Sequence, residues 1–207
     1  MTVRSPPGAE MTEAQIGFLT GLIASERFPG LHLEVGTASG VTLAQMVRAL
    51  PTPLDPAFIV VDNMRYFPGQ MEVVRANLER HGVDPDRVDF RVGDSGAVFR
   101  AAARAGDSFD FIVIDASHKI RKVTDDLRWT RLLRVGGLVC LHDYYPNFPG
   151  VMKSVDRFLC RYPSYERAEQ VGGLLVLRKL EPSPRPEIST ADRWWAALWR
   201  IRFKITN

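Results

Sequence analysis

The chain has 207 residues, 45% of them hydrophobic and 25% charged, with a formal net charge of +3. That is enough for one full-sized domain with a single core and short appendages, and the composition is ordinary for a soluble globular protein. No stretch approaches the roughly 18 apolar residues needed to span a bilayer, and the start MTVRSPPGAEMTEAQ lacks the apolar core of a signal peptide, so a cytoplasmic protein is expected. The tail from Leu180 to Asn207 holds five basic residues against three acidic ones. Most of the basic excess therefore lies outside the core, and no specific nucleic-acid binding is expected.

Residues 1–11 read as a flexible N-terminus. Thr12-Glu-Ala-Gln15 fits a capping box, and Ile16, Leu19, Leu22 and Ile23 recur at helical spacing, which predicts a helix over 12–26. After Pro29-Gly30, an apolar run from Leu31 to Val35 enters a glycine turn, and helical patterning returns over 41–50. The alternation repeats at 58–61 and 70–81, at 88–92 and 96–105, at 109–114 and 119–133, and at 138–141 and 150–162. Five strand-helix units predict an α/β domain over 12–179, with a parallel sheet covered on both faces. Two further segments, 164–170 and 173–179, read as an antiparallel end to that sheet. Cys140 and Cys160 lie in apolar runs without the pairing of a metal or redox motif, and both are expected to be core thiols.

The segment EPSPRPEIST carries three prolines in ten residues and predicts a linker. It leads to DRWWAALWRIRFK, in which Trp194, Leu198 and Ile201 share one helical face. A helix over 192–204 is expected, burying Trp194 and Leu198 against its own domain or a second copy in a homo-oligomer; its basic and aromatic mix also suits contact with a membrane surface.

The chemistry-bearing residues fall where strands end. Glu34-Val-Gly-Thr-Ala-Ser-Gly40 places an acid, a serine and Gly36 and Gly40 between a strand and a helix, where backbone can approach a ligand closely. The spacing lacks the Gly-x-Gly-x-x-Gly of a dinucleotide site, which argues against a nicotinamide-dependent oxidoreductase, while Glu34 suits a cationic ligand group. Asp62 ends FIVVD and can accept two ribose hydroxyls. Asp94 and Ser95 end FRVGDS and suit an adenine edge, although either also suits a helix cap. Asp115 and His118 follow the fourth strand, and His142 and Asp143 the fifth. If those strands are neighbours, their ends lie about 4.8 Å apart, so that Asp115 and Asp143 can share a divalent cation. Tyr66, Phe67, Tyr144, Tyr145 and Phe148 form either an aromatic acceptor pocket or ordinary loop anchors.

The succession LEVGTASG, VVD, VGDS, FIVIDASH and LLRVGGLVCLHDY resembles the class I S-adenosylmethionine (SAM) dependent methyltransferases. The run from Asp115 to Tyr145, with GVMKSVDRFL and VGGLLVLRK after it, resembles the branch containing macrocin O-methyltransferase and the cephalosporin hydroxylase-like proteins. The resemblance implies a Rossmann-like, doubly wound, seven-stranded and mostly parallel sheet with an antiparallel last strand. It implies SAM held by Glu34, Gly36, Ser39, Gly40, Asp62, Asp94, Ser95 and Asp115. The implied reaction is magnesium-assisted O-methylation of a small molecule or saccharide, with His118 as general base and metal ligands at Asp115, His142 and Asp143. The branch carries an acidic pair where this chain reads His142-Asp143, and an imidazole suits transition metals better than magnesium. A metal-independent transfer to nitrogen or to a macromolecule, and a non-catalytic SAM-binding scaffold, are the competing readings.

Overall fold

The computed structural model describes residues 11–25, 28–51 and 55–205, so the expected flexible segment 1–11 lies outside it but for Met11. Helix α1 (Glu13–Ser25) begins with the capping box read from the sequence. Thr12 N–H donates to Gln15 Oε1 at 2.8 Å, and Gln15 N–H donates to Thr12 Oγ1 at 3.3 Å. Strands β1 (Leu31–Val35), β2 (Phe58–Asp62), β3 (Val88–Val92), β4 (Phe109–Ile114) and β5 (Leu133–Leu141) alternate with α2 (Val41–Ala49), α3 (Gln70–Arg80), α4 (Ser95–Ala105) and α5 (Ile120–Asp126). Helix α6 (Pro149–Arg161), strands β6 (Tyr165–Val171) and β7 (Leu174–Lys179), and helix α7 (Thr190–Ile205) complete the chain.

The seven strands form one sheet in the order β3-β2-β1-β4-β5-β7-β6. The first five are parallel and β7 runs antiparallel to both β5 and β6. Side chains of a strand alternate between faces, and each face has its own core. Leu33, Ile59, Ile112 and Val139 pack on one side with Trp129 and Phe158; Phe58, Val60, Phe111 and Cys140 pack on the other with Leu19 and Leu43. This is the Rossmann-like architecture expected from the sequence. Among the described residues, no helix is long and apolar enough to cross a membrane.

Four expectations need correction. The helix predicted over 119–133 stops at Asp126 and tightens into a 3-10 segment, Leu127–Leu132, while β5 begins at Leu133, five residues earlier than expected. Its pairing with β4 shifts register between Phe109 and Phe111, which absorbs Gly136 and Gly137 as an irregularity within the strand. Cys140 is buried but Cys160 is exposed, because α6 points Val151, Val155 and Phe158 inward and Cys160 falls on the opposite side. The segment 180–189 has no helix or strand yet is tied down: Glu187 is buried and accepts from Tyr165 Oη at 2.6 Å and Ser183 Oγ at 2.6 Å.

The fourth correction concerns the own-domain reading of α7: within this chain Trp194 and Leu198 are 68% and 65% exposed, with Ile201 at 56%. The helix seats instead through Asp192 and Ala196, which are fully buried. Asp192 pairs with Arg157 at 2.9 Å and Arg161 at 2.8 Å and accepts from Tyr162 Oη at 2.7 Å, and these partners fix which face turns inward. Trp195 lies under Arg157 and Trp199 under Lys153, so cation–π contacts take the place of apolar burial along that edge.

The turn after β1 shapes the upper edge of the sheet. Gly36 (φ +86°) and Gly40 (φ +79°) take left-handed conformations. A Cβ at Gly36 would sit 2.4 Å from the carbonyl oxygen of Asp115 and 2.6 Å from Ala116 Cα, so the turn is pressed against the end of β4. Gly36→Ala is therefore expected to lower stability by at least about 2 kcal/mol, from conformational strain plus backbone overlap. Gly17→Ala in α1, where a Cβ meets nothing within 4 Å, is expected to raise stability by about 0.5–1 kcal/mol. Urea unfolding of the two variants measures both.

His32 on β1 is buried among Phe28, Phe58 and Phe111, with ring centroids 5.1–6.0 Å away. Burial lowers its pKa to about 4 against the opposing pull of Asp110. The unfolded chain takes up a proton near 6.5 and the folded one only near 4, so this residue's contribution is complete above pH 6.5 and is lost as pH falls toward 4. Unfolding free energies measured from pH 7 to 4 should show up to about 3 kcal/mol of such loss, and His32→Leu should remove most of that dependence.

Candidate active site

Parallel strands all end on one side of the sheet, and ligands of open α/β sheets bind in the crevice outside those ends. Glu34, Asp62, Asp94, Asp115 and Asp143 are each the last residue of a strand or lie within two residues of a strand's end. Glu34 is buried, and its Oε2 has no hydrogen-bond partner among the described residues. Burial pushes its pKa up to about 8, with the Asp115 and Asp62 carboxylates adding to the effect. A buried carboxyl with an unused oxygen is a position where a cationic ligand group is stabilised.

Asp62 is already engaged. Its Oδ2 accepts from Thr37 N–H at 3.0 Å and its Oδ1 from Met64 N–H at 2.7 Å, so it braces the β1 turn while each oxygen keeps lone-pair capacity for a further donor. The turn is held from α3 as well. Gln70 Nε2 donates to Ala38 O at 3.0 Å, and Asn77 Nδ2 donates to Ser39 O at 2.8 Å. Sequence reasoning missed both amides, although their spacing of two helical turns was a usable signal. Gly40, the N-cap of α2, lies against Val74, so its tight approach serves helix packing.

Asp94 is the N-cap of α4, accepting from Gly96 N–H at 3.0 Å, and it pairs with Lys122 at 3.1 Å, which holds its carboxyl below the usual range. Ser95 Oγ accepts from Trp129 Nε1 at 2.9 Å. The buried Asp126, whose pKa burial raises to about 6, was not read as significant in the sequence. Both Asp94 and Ser95 therefore have structural tasks at the strand end.

Beyond β4 and β5 the expected cluster is assembled. Asp115, His142 and Asp143 each offer a ligand atom within 4.8 Å of the others. His142 Nδ1 lies 3.2 Å from Asp115 Oδ1 and 3.4 Å from Asp143 Oδ2. These two carboxylates outweigh the desolvation of the imidazole and raise its pKa to about 10. His118 Nε2 lies 2.5 Å from Asp143 Oδ2, and this contact raises the His118 pKa above 6.5 despite partial burial. Asp143 takes φ +61° and, flanked by the two histidines, is held at a pKa of about 2 although burial opposes it. The His118 ring packs on Phe148 at 4.3 Å, and its Nδ1 has no hydrogen-bond partner among the described residues.

The aromatic residues divide between the two readings. Tyr144 is buried and donates to Asp156 at 2.6 Å, and Tyr145 packs against Gly172 and Gly173, so both are anchors. Phe148 faces the site, and Tyr66 is more than half exposed beside Phe67.

No curated protein matches this sequence. Solved structures that share its fold include three O-methyltransferases. An O-methyltransferase from Bacillus cereus, solved with SAH, is 19% identical with a TM-score of 0.67, covering 84% of each chain. The O-methyltransferase TomG of tomaymycin synthesis from Streptomyces achromogenes, solved with SAM, is 20% identical with a TM-score of 0.68, covering 84% of this chain and 83% of that one. CalS11, a TDP-rhamnose 3'-O-methyltransferase of calicheamicin biosynthesis, is 18% identical with a TM-score of 0.61, covering 79% and 76%. The family described as methyltransferase domain matches residues 33–144, more than half of the chain and the whole span from β1 to the cluster at Asp143. The chain belongs to that methyltransferase-domain family, on the fold of the class I SAM-dependent methyltransferases.

Proposed function

We propose that the protein transfers a methyl group from SAM to a hydroxyl of a small molecule or saccharide, with His118 as general base. The observation that carries this reading is the contact between His118 Nε2 and Asp143 Oδ2, at 2.5 Å, beside an unpartnered Nδ1. The Asp143 carboxylate beside Nε2 electrostatically favours the ring proton on that side, which would leave the Nδ1 lone pair to the acceptor, the usual division of labour in a carboxylate–imidazole pair. Phe148 fixes the plane of the ring. Glu34 suits the cationic amino group of SAM, Asp62 its ribose, and the Gly36–Gly40 turn admits its close approach; Ser39, Asp94, Ser95 and Asp115 complete the proposed cofactor shell. Asp115, His142 and Asp143 form a mixed oxygen and nitrogen set that fits a divalent cation. When bound, SAM supplies a methyl group activated by its sulfonium, and a cation supplies positive charge beside the acceptor oxygen. The chain's own residues orient the hydroxyl, remove its proton at His118 Nδ1 and, at the turn and the Phe148 loop, restrict water.

A second reading is favoured by His142 itself. Held between two carboxylates with a pKa near 10, it carries its own positive charge at the position a cation would take. Transfer by this reading needs no metal.

Replacing His118 with Ala is expected to slow single-turnover methyl transfer by about 10²–10⁴-fold while calorimetric SAM affinity changes little. The assay uses labelled SAM with a panel of hydroxylated small molecules and saccharides, and identification of the product as a methyl ether. A folded variant that binds SAM and transfers at the parent rate overturns the base assignment. Adding EDTA to the parent enzyme separates the two readings: loss of turnover supports the cation and retained turnover supports His142.

A further inference from the structure

Helix α7 presents an apolar stripe that the domain leaves uncovered. Trp194, Leu198 and Ile201 stand at positions i, i+4 and i+7, hence on one face, and each is more than half exposed. Large exposed apolar side chains are otherwise scattered singly over the described residues, at Tyr66, Val92, Val135 and Leu180. A contiguous stripe of this kind marks a contact surface.

The charges around the stripe say what covers it. Every basic residue of α7, namely Arg193, Arg200, Arg202 and Lys204, belongs to the helix that carries the stripe, while the helix's one acid, Asp192, is fully buried and neutralised by Arg157 and Arg161. On a helical wheel Arg193 and Arg200 flank one side of the stripe and Arg202 the other. The positive field continues onto the neighbouring elements. Arg193 lines a cavity of about 260 Å³ together with Arg100, Arg121 and Arg128, against Asp94 and Asp125. Asp125 pairs with Arg193 at 3.0 Å and Asp94 with Lys122, whereas neither Arg100 nor Arg121 pairs with a carboxylate among the described residues. A second copy of the chain docking stripe to stripe would set these basic flanks against each other, a like-charge arrangement that opposes association. An anionic bilayer surface meets both requirements at once. Its headgroup region accepts the arginines, and its acyl boundary accepts a tryptophan and two branched aliphatic side chains.

We propose that α7 is a membrane-surface helix that docks the enzyme on anionic phospholipid through Trp194, Leu198 and Ile201, with the flanking arginines on the headgroups. The helix lies in the interface plane and its inner face stays on α5, with Asp192 held by Arg157 and Arg161 of α6. The proposal concerns the outer face of the C-terminal helix and does not rest on the methyl-transfer reading.

The test is sedimentation of the intact chain with vesicles of phosphatidylcholine alone and of phosphatidylcholine mixed with phosphatidylglycerol. Partition onto the mixed vesicles is expected to be about tenfold or more stronger, and to fall as salt is raised. Brominated lipid should quench part of the tryptophan fluorescence. The combined variant Trp194→Ser, Leu198→Ser, Ile201→Ser removes only exposed side chains, so its melting temperature should match the parent while vesicle binding is lost. The proposal is overturned by an intact chain that stays in the supernatant, by equal partition onto both vesicle types, or by a combined variant that binds as the parent does. It is overturned equally if light scattering finds a dimer that the combined variant breaks and no vesicle binding, because the stripe then belongs to a second copy.

Discussion

The close approach of two backbone turns, Gly36 against Asp115 and Ala116, is the constraint on which the cleft depends. Because no side chain intervenes, the end of β1 and the end of β4 are brought together without a layer of packing between them. Glu34 and Asp115 then act on each other electrostatically, and Asp62 joins them by accepting from the Thr37 amide. A larger residue at position 36 would push the turn away from Asp115 and Ala116 at the end of β4. The two amides of α3, Gln70 and Asn77, hold the same turn from behind by its carbonyls. Binding geometry is thus set by backbone contacts, with the ionisable groups carried on that frame.

On the acceptor side the governing effect is charge balance in a half-buried space. Asp115 and Asp143 would repel each other if left alone, and the His142 imidazole between them relieves that cost. His118 relieves it again from the cleft side. The same four groups therefore stabilise one another in the folded chain, with His118 the outermost of them. An acidic residue in place of His142 would leave three carboxylates together, whereas the imidazole sets one cationic group between two of them.

The strands, the crossover helices and the positions of the site residues were legible because their signals are local. β1, β3 and β4 begin and end where their apolar runs do, and the Thr12–Gln15 capping box forms as its spacing demands. What was not legible depends on partners distant in sequence. The outward turn of Trp194 and Leu198 is decided by Asp192 meeting Arg157 and Arg161, more than thirty positions away. A buried aspartate and alanine do not look like a core-facing stripe, so hydrophobic periodicity alone did not show which face the domain itself covers. The early start of β5 escaped notice because Gly136 and Gly137 read as a turn, whereas the strand accommodates them by shifting register. Asp94 and Ser95 were placed correctly at a strand end, yet their hydrogen bonds to Gly96 and Trp129 come from packing that composition does not encode.

Helix α6 carries two attachments of different kinds at its two ends. At its start, Gly150 fits so closely against the His118 carbonyl that a Cβ would sit 2.2 Å from it, and Phe148 supports the His118 ring. Towards its end, Arg157 and Arg161 grip the buried carboxylate of the C-terminal helix. A hydrogen-bonded helix of 13 residues resists bending, so it behaves as a short strut between those points. The C-terminal helix and the loop beside His118 are thus seated on one continuous element of the fold.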